Sequence, residues 1–160
     1  MPNSTLDAID LHILRELQAD ARISNVELAR RINLSPSPCL ARVRALERAG
    51  ILDRYVALLD PAKVGLGVSV FISVTLERQI ERDLESFEKA ISAFDEVMEC
   101  YLLTGDFDYL LRILVADVAE LQRFIVEKLA TLPNVANIKS SFALKQVKYK
   151  TAVPLAPVSP

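Results

Sequence analysis

Histidine is almost missing from this chain: His12 is the only one in 160 residues. A lone imidazole inside an apparent helix is no catalytic pair, and a general base needs a partner nucleophile or cofactor. The four glycines make no phosphate-cradling loop. Cysteine is scarce as well: Cys39 and Cys100 stand far apart, with neither a CxxC nor a metal-ligand spacing. They read as reduced structural thiols, and no metal or cofactor is expected. No apolar run approaches the ~18 residues that suggest a membrane span. Met1-Pro2-Asn3-Ser4 lacks the charged and apolar regions of a secretory leader, so a cytoplasmic chain is expected. Strong charge is missing too. The net charge of −2 gives no basic signature over the whole chain, so any nucleic-acid footprint must be a local patch.

What is present is ordinary globular material, 51% hydrophobic and 25% charged, enough for one or two small domains. Its distribution is uneven. Residues 1–60 hold eight arginines, eight acids and no lysine; every lysine lies beyond. Leu34 to Gly50 carries its own start and stop. Ser35 suits an N-cap, Pro36 suits the first helical position, and Gly50 suits a left-handed end. Cys39, Leu40, Val43 and Leu46 form an apolar stripe. Ser37, Ala41, Arg44 and Arg48 form a second stripe, and Pro38, Arg42 and Ala45 a third. Arginine forks read guanine edges or grip phosphate, so the exposed side is either a DNA-reading surface or a solvated basic face. Two helices precede it. Asp7 to Asp20 carries Ile9, Ile13, Leu14 and Leu17 in register. A shorter one is capped by Ser24 with Glu27 at the third position and stops near Asn33. Three helices with so tight a final turn have helix-turn-helix spacing. Ile51 to Leu59 is short and β-rich; it reads as a ribbon or wing on which Arg54 meets phosphate.

Residues 61–67 form a linker that holds two of the four glycines. Beyond it the period changes. Val68 to Leu76 alternates as a strand. A helix from Glu81, a strand from Val97, a turn at residues 104–108, a strand from Tyr109, a helix from Val118 and a strand from Val135 complete βαββαβ, the ferredoxin-like order. Ile91, Phe94 and Val97 recur as Leu129, Leu132 and Val135, a faint internal repeat. The predicted class is α+β: a winged helix-turn-helix over 1–60 and a ferredoxin-like domain over 68–150. Residues 151–160 hold three prolines and no charge, and are expected to be an unpacked tail.

Gly105-Asp106-Phe107-Asp108-Tyr109 carries the most chemistry in the second domain. Two carboxylates on a turn fit catalysis, a cation, an ammonium group, or a plain solvated hairpin. Catalysis lacks its base, and a metal lacks further ligands.

The motifs Leu6-Asp7…Asp10…Ile13-Leu14…Leu17, Arg22-Ile23-Ser24-Asn25-Val26-Glu27-Leu28-Ala29, Leu34-Ser35-Pro36-Ser37-Pro38-Cys39-Leu40…Arg42-Val43…Leu46-Glu47, Glu99-Cys100…Thr104-Gly105-Asp106-Phe107-Asp108-Tyr109-Leu110-Leu111 and Leu132-Pro133-Asn134-Val135 run in order along residues 5–150. In them the chain resembles the leucine-responsive/asparagine regulator (Lrp/AsnC) family of transcription factors. The resemblance implies a winged helix-turn-helix joined to a RAM, or ACT-like, effector domain. It also implies a regulator of amino-acid metabolism, not an enzyme, that binds double-stranded DNA and a free amino acid between protomers. Homodimers that assemble to octamers, in the nucleoid-associated cytoplasm, are the implied state. An architectural protein wrapping DNA with little sequence choice stays open as the alternative. Carried over residue by residue, Ser35, Ser37, Pro38, Arg42, Arg44, Arg48 and Arg54 are expected at DNA, with Ser37 and Arg42 toward base edges. Leu103, Thr104, Gly105, Asp106, Asp108, Pro133, Asn134, Val135 and Ser140 are expected around the effector. The resemblance makes Asp108 the candidate effector-response residue. The apolar Leu103 and Val135 point to an aliphatic ligand such as leucine.

Overall fold

The computed structural model describes residues 6–155, which fall into two compact units. The first, the head, is built of α1 (Ala8–Ala19), α2 (Asn25–Arg31) and α3 (Pro36–Arg48). Asp7 caps α1: its side chain accepts from the Asp10 N–H, and the Asp10 side chain accepts in return from the Asp7 N–H. That reciprocal box satisfies two donors the helix itself leaves open. Ser24 caps α2 by accepting from the Glu27 N–H. Ser35 has N-cap geometry before Pro36 but makes no side-chain cap bond. Asn33, at φ 55°, and Gly50, at φ 68°, end α2 and α3 in the left-handed region, where asparagine and glycine are the tolerant residues. The apolar stripes meet in a core of Ile13, Leu17, Leu28, Cys39, Val43 and Leu46, all at most 9% exposed.

Two expectations fail in this unit. Among the described residues the ribbon over Ile51–Leu59 does not form: residues 53–60 belong to no strand, and no described strand of the head offers them the ladder an extended segment needs. The tail, expected to be unpacked, returns to the head through Leu155, which packs against its core. There Gln18 accepts from the Val153 N–H at 2.6 Å and donates to the Val153 carbonyl at 3.2 Å. The side-chain amide thus mimics a strand neighbour. Residues 156–160 of that tail lie outside the described residues.

The second unit spans Leu59–Val147. Its elements are β1 (Val68–Leu76), α4 (Glu81–Ile91), β2 (Val97–Leu102), β3 (Tyr109–Val115), α5 (Val118–Arg123) and β4 (Val135–Phe142). The sheet order is β2-β3-β1-β4, antiparallel throughout. β1 is central, with Ile72 opposite both Leu111 and Ser140. Alternation sends Val70, Ile72, Val74, Leu111 and Ile113 into the core with Phe87 and Phe124 from the helices. α5 widens into a π-helical turn over Phe124–Lys128 and closes in a 3-10 turn, Leu129–Thr131. An i→i+5 turn lines up residues five apart, and Phe124 and Leu129 are both buried. The repeated Val97 and Val135 open β2 and β4. Four loop ends lie together at one end of the sheet, where β1 and β2 finish and β3 and β4 begin.

Candidate functional site

The head offers a helix surface whose charges divide sharply into tied and free. Arg30 and Arg31 are held by Glu27, at 2.7 and 2.9 Å, and Arg31 also by Glu16 at 2.7 Å. Glu27 is drawn down to about 2, first by Arg30 and then by Arg31. Arg42, expected to face outward, is turned onto α1 instead. Its Nη1 lies 2.7 Å from Asp7 Oδ2 and 2.8 Å from Asp10 Oδ1. The Asp10 N–H, and after it the Arg42 guanidinium, holds the Asp7 carboxyl below its ordinary value. Arg42 shares the buried side of α3 with Val43 and Leu46, so the nearest place for its charge is the positive helix start that two carboxylates already occupy. This corrects its assignment to base edges.

Ser37, Arg44 and Arg48 are exposed on the opposite side of α3, and the two arginines make no ion pair among the described residues. Ser35 and Pro38 are exposed at the helix start. Glu47 accepts from the Tyr55 hydroxyl at 3.0 Å, which occupies the one acid beside the arginine stripe. Arg54 is 3.1 Å from Asp53, on a largely exposed side chain. Charge on this helix therefore gathers on a side where, among the described residues, no carboxylate forms an ion pair with it.

At the loop end of the sheet the expected effector residues are arranged around a segment that sequence reasoning missed, Leu76–Gln79. Asp108 is 8% exposed, and both of its carboxylate oxygens are used. Oδ2 accepts from the Leu76 N–H at 2.7 Å and Oδ1 from the Gln79 Nε2 at 2.7 Å. From the other side Asn134, at φ 70°, accepts from the Arg78 N–H at 3.0 Å and donates to the Arg78 carbonyl at 2.7 Å. Its own carbonyl accepts from the Glu77 N–H at 2.8 Å. The loop after β1 is thus clipped on both sides. The only advance signal was the left-handed tolerance of Asn134; Glu77-Arg78-Gln79 has no glycine or proline to mark it.

Leu103 donates to the Asp108 carbonyl at 2.8 Å, closing the β2–β3 turn. Gly105, at φ 136° with open space where a Cβ would stand, is there for its backbone. Thr104 and Asp106 are exposed, and Asp106 makes no side-chain hydrogen bond among the described residues. Pro133 is exposed, and Val135 opens β4. Ser140 does not join them. It sits five residues along β4, opposite Ile72, in an apolar groove of about 240 Å³ with Val118, Leu121, Ile125 and Phe142. A strand advances about 3.3 Å per residue, so within one chain it stands well away from the turn. Cys39 is buried in the head and Cys100 is exposed, both as free thiols.

A model described as the Lrp/AsnC ligand binding domain matches residues 69–153, and one described as a winged helix-turn-helix DNA-binding domain matches residues 6–53. The chain belongs to the Lrp/AsnC family. The leucine-responsive regulatory proteins of Klebsiella pneumoniae and Escherichia coli K12 are each 44% identical over 147 residues, covering 92% of this chain and 90% of theirs. A Neisseria meningitidis transcriptional regulator, solved as a complex with L-Met, is 42% identical with a TM-score of 0.89, covering 94% of this chain and 97% of that one. An AsnC family regulator from Agrobacterium tumefaciens is 39% identical with a TM-score of 0.88, covering 93% and 97%. These relatives are transcription regulators, not enzymes, so the reading of Asp106 and Asp108 as a catalytic pair falls away. The chain is an Lrp-family transcription regulator with a DNA-binding and a ligand-binding domain. Among the described residues no helix is long and apolar enough to cross a membrane.

Proposed function

We propose that this Lrp/AsnC regulator reads DNA in a sequence-specific way with α3 and responds to a free amino acid bound at the loop end of its sheet. The observation that carries the DNA part is the exposed stripe of Ser37, Arg44 and Arg48, whose arginines make no ion pair among the described residues. Ser37 and Arg44 meet base edges, while Arg48 and Arg54 meet phosphate. Ser35 and Pro38 bring the start of α3 against the backbone. A homodimer sets two such helices about one turn of DNA, or a multiple, apart, and further assembly to an octamer in the nucleoid-associated cytoplasm fits the family. Wrapping with little sequence choice is the second reading; a local arginine stripe on a chain of net charge −2 supports it less.

For the ligand, Gly105 exposes backbone N–H groups to a carboxylate, and Asp106 is the unengaged acid that meets the ammonium. Leu103, Thr104, Pro133 and Val135 surround the side chain. Asp108 and Asn134 act through the loop they clip. The L-Met bound by the Neisseria relative and the leucine response in the name of the enterobacterial ones support an apolar amino acid, leucine or a near equivalent. Melting the protein with each of the twenty amino acids tests this, since a ligand of the native state raises Tm. A rise confined to aliphatic amino acids and methionine is expected; twenty flat curves would overturn the ligand reading while leaving DNA binding untouched.

A further inference from the structure

Two polar anchors hold α3 on the head, and neither belongs to the surface offered to DNA. At the first turn, Asn25 Nδ2 donates to the Pro36 carbonyl at 2.8 Å, and its Oδ1 is buried without a partner. Halfway along, Arg42 closes a knot with the start of α1. Asp7 Oδ1 accepts from the Asp10 N–H at 2.8 Å, and Asp10 Oδ2 from the Asp7 N–H at 3.3 Å. Their remaining oxygens take Arg42 Nη1 at 2.7 and 2.8 Å. All four carboxylate oxygens are therefore engaged.

The helical period gives this knot a consequence. At about 100° per residue, Ser37, Arg44 and Arg48 lie roughly 200–240° around the helix from Arg42, within about 40° of one another. Fixing Arg42 on α1 therefore fixes which way that stripe points. The apolar contacts of Cys39, Val43 and Leu46 hold α3 down, but side-chain ridges tolerate small rotations and shifts. A fork that must meet two base atoms at once does not.

We propose that Asp7, Asp10 and Asn25 are positioning residues for DNA reading, acting through Arg42 and the Pro36 carbonyl to set the rotation of the recognition helix. The charge argues the same way. Two carboxylates beside a helix offered to DNA repel a polyanion, so their presence there is explained by what they hold.

The sign of one substitution tests this. The full-length protein is titrated, across a salt series, with a duplex it has itself selected from a random pool and with an unrelated duplex of equal length. Asp7→Asn combined with Asp10→Asn removes two negative charges, which by charge alone tightens binding to both. Positioning predicts the reverse for the selected duplex: roughly tenfold weaker binding, the scale of one misread base pair, with the unrelated duplex held equally or more tightly. Arg42→Met reproduces the loss of specificity with an unchanged salt slope, whereas Arg48→Met, at a phosphate contact, lowers the slope by about one. Tighter or equal binding of the selected duplex by the double variant overturns the proposal. So does an Arg42→Met slope that falls as far as that of Arg48→Met. Should the double variant lose helical signal, Asp10→Asn alone, which leaves the Asp7 cap in place, decides the same comparison.

Discussion

The two units use carboxylates in opposite ways. In the head, acids lie at the surface and tie helices together through arginine: Asp7 and Asp10 to Arg42, Glu16 and Glu27 to Arg31. In the ligand-binding unit the decisive carboxylate, Asp108, is buried and meets neutral donors. Solvent explains the contrast. Exposed pairs are screened and contribute about 0–1 kcal/mol each, so the head uses them for direction and leaves its stability to the apolar core. A buried donor left without its acceptor costs about 1–3 kcal/mol, so one internal carboxylate shapes a whole loop. The proposed DNA-reading geometry is thus held by weak, reversible ties, and the proposed ligand-site loop by a strong one.

The largest effects should come from the cores beneath both arrangements. Ile72→Ala in the sheet and Ile13→Ala in the head each remove a side chain with no exposure, and each should cost about 2–5 kcal/mol in denaturant unfolding. A loss under 1 kcal/mol would mean that the site collapses around the gap.

Asp108→Ala comes next. It strands the Leu76 N–H, and a loss of about 1–3 kcal/mol is expected, together with weaker amino-acid binding by calorimetry. Unchanged affinity would separate the clip from the ligand site and erase the contrast with the head. Asn134 sharpens that point. Asn134→Gly keeps the left-handed backbone but loses the two side-chain bonds to Arg78, whereas Asn134→Ala loses the bonds and adds strain at φ 70°, about 1 kcal/mol more. Equal stabilities of the two would show that the backbone conformation costs nothing there.

The surface ties predict the smallest and most pH-dependent effects. Glu27 is held at about 2, against 4.5 for the free group. A depressed carboxyl stabilises the fold above its unfolded value, and that contribution disappears as pH falls through the folded one. The head should therefore lose stability between about pH 4.5 and pH 2, as followed by helical circular dichroism, and Glu27→Gln should flatten that limb. Gln18→Ala, which releases Val153, should cost about 0.5–1.5 kcal/mol; no change in the exchange rate of the Val153 amide would show that Leu155 alone holds the tail.

Much of this was legible from residues alone where the signal is local. Asn33 and Gly50 stop their helices as read, β3 runs from Tyr109 to Val115, and the repeated Val97 and Val135 open strands. Caps, alternation and left-handed turns are decided within a few residues, so a sequence shows them. The misreadings all involve a distant partner. Arg42 looked free because Asp7 lies 35 residues away. Asp108 looked like an open turn acid because Leu76, whose N–H it holds, lies 32 residues away. Ser140 was placed at the cleft by resemblance, and its register on β1 sets it apart from the turn within one chain. The ribbon was read from composition, which shows a strand's preference but not its partner. The tail was judged by its prolines, though Gln18 was there to receive it.

The sequence by itself determined the order of elements, their caps and the two apolar cores, because burial and hydrogen bonding within a few residues favour one local conformation. It also placed an arginine stripe on the third helix. Only the tertiary structure decided which arginines stay free to meet DNA and which acid of the Gly105–Asp108 turn remains unengaged. Charges find their partners across the fold, and helix packing and sheet register bring those partners within reach.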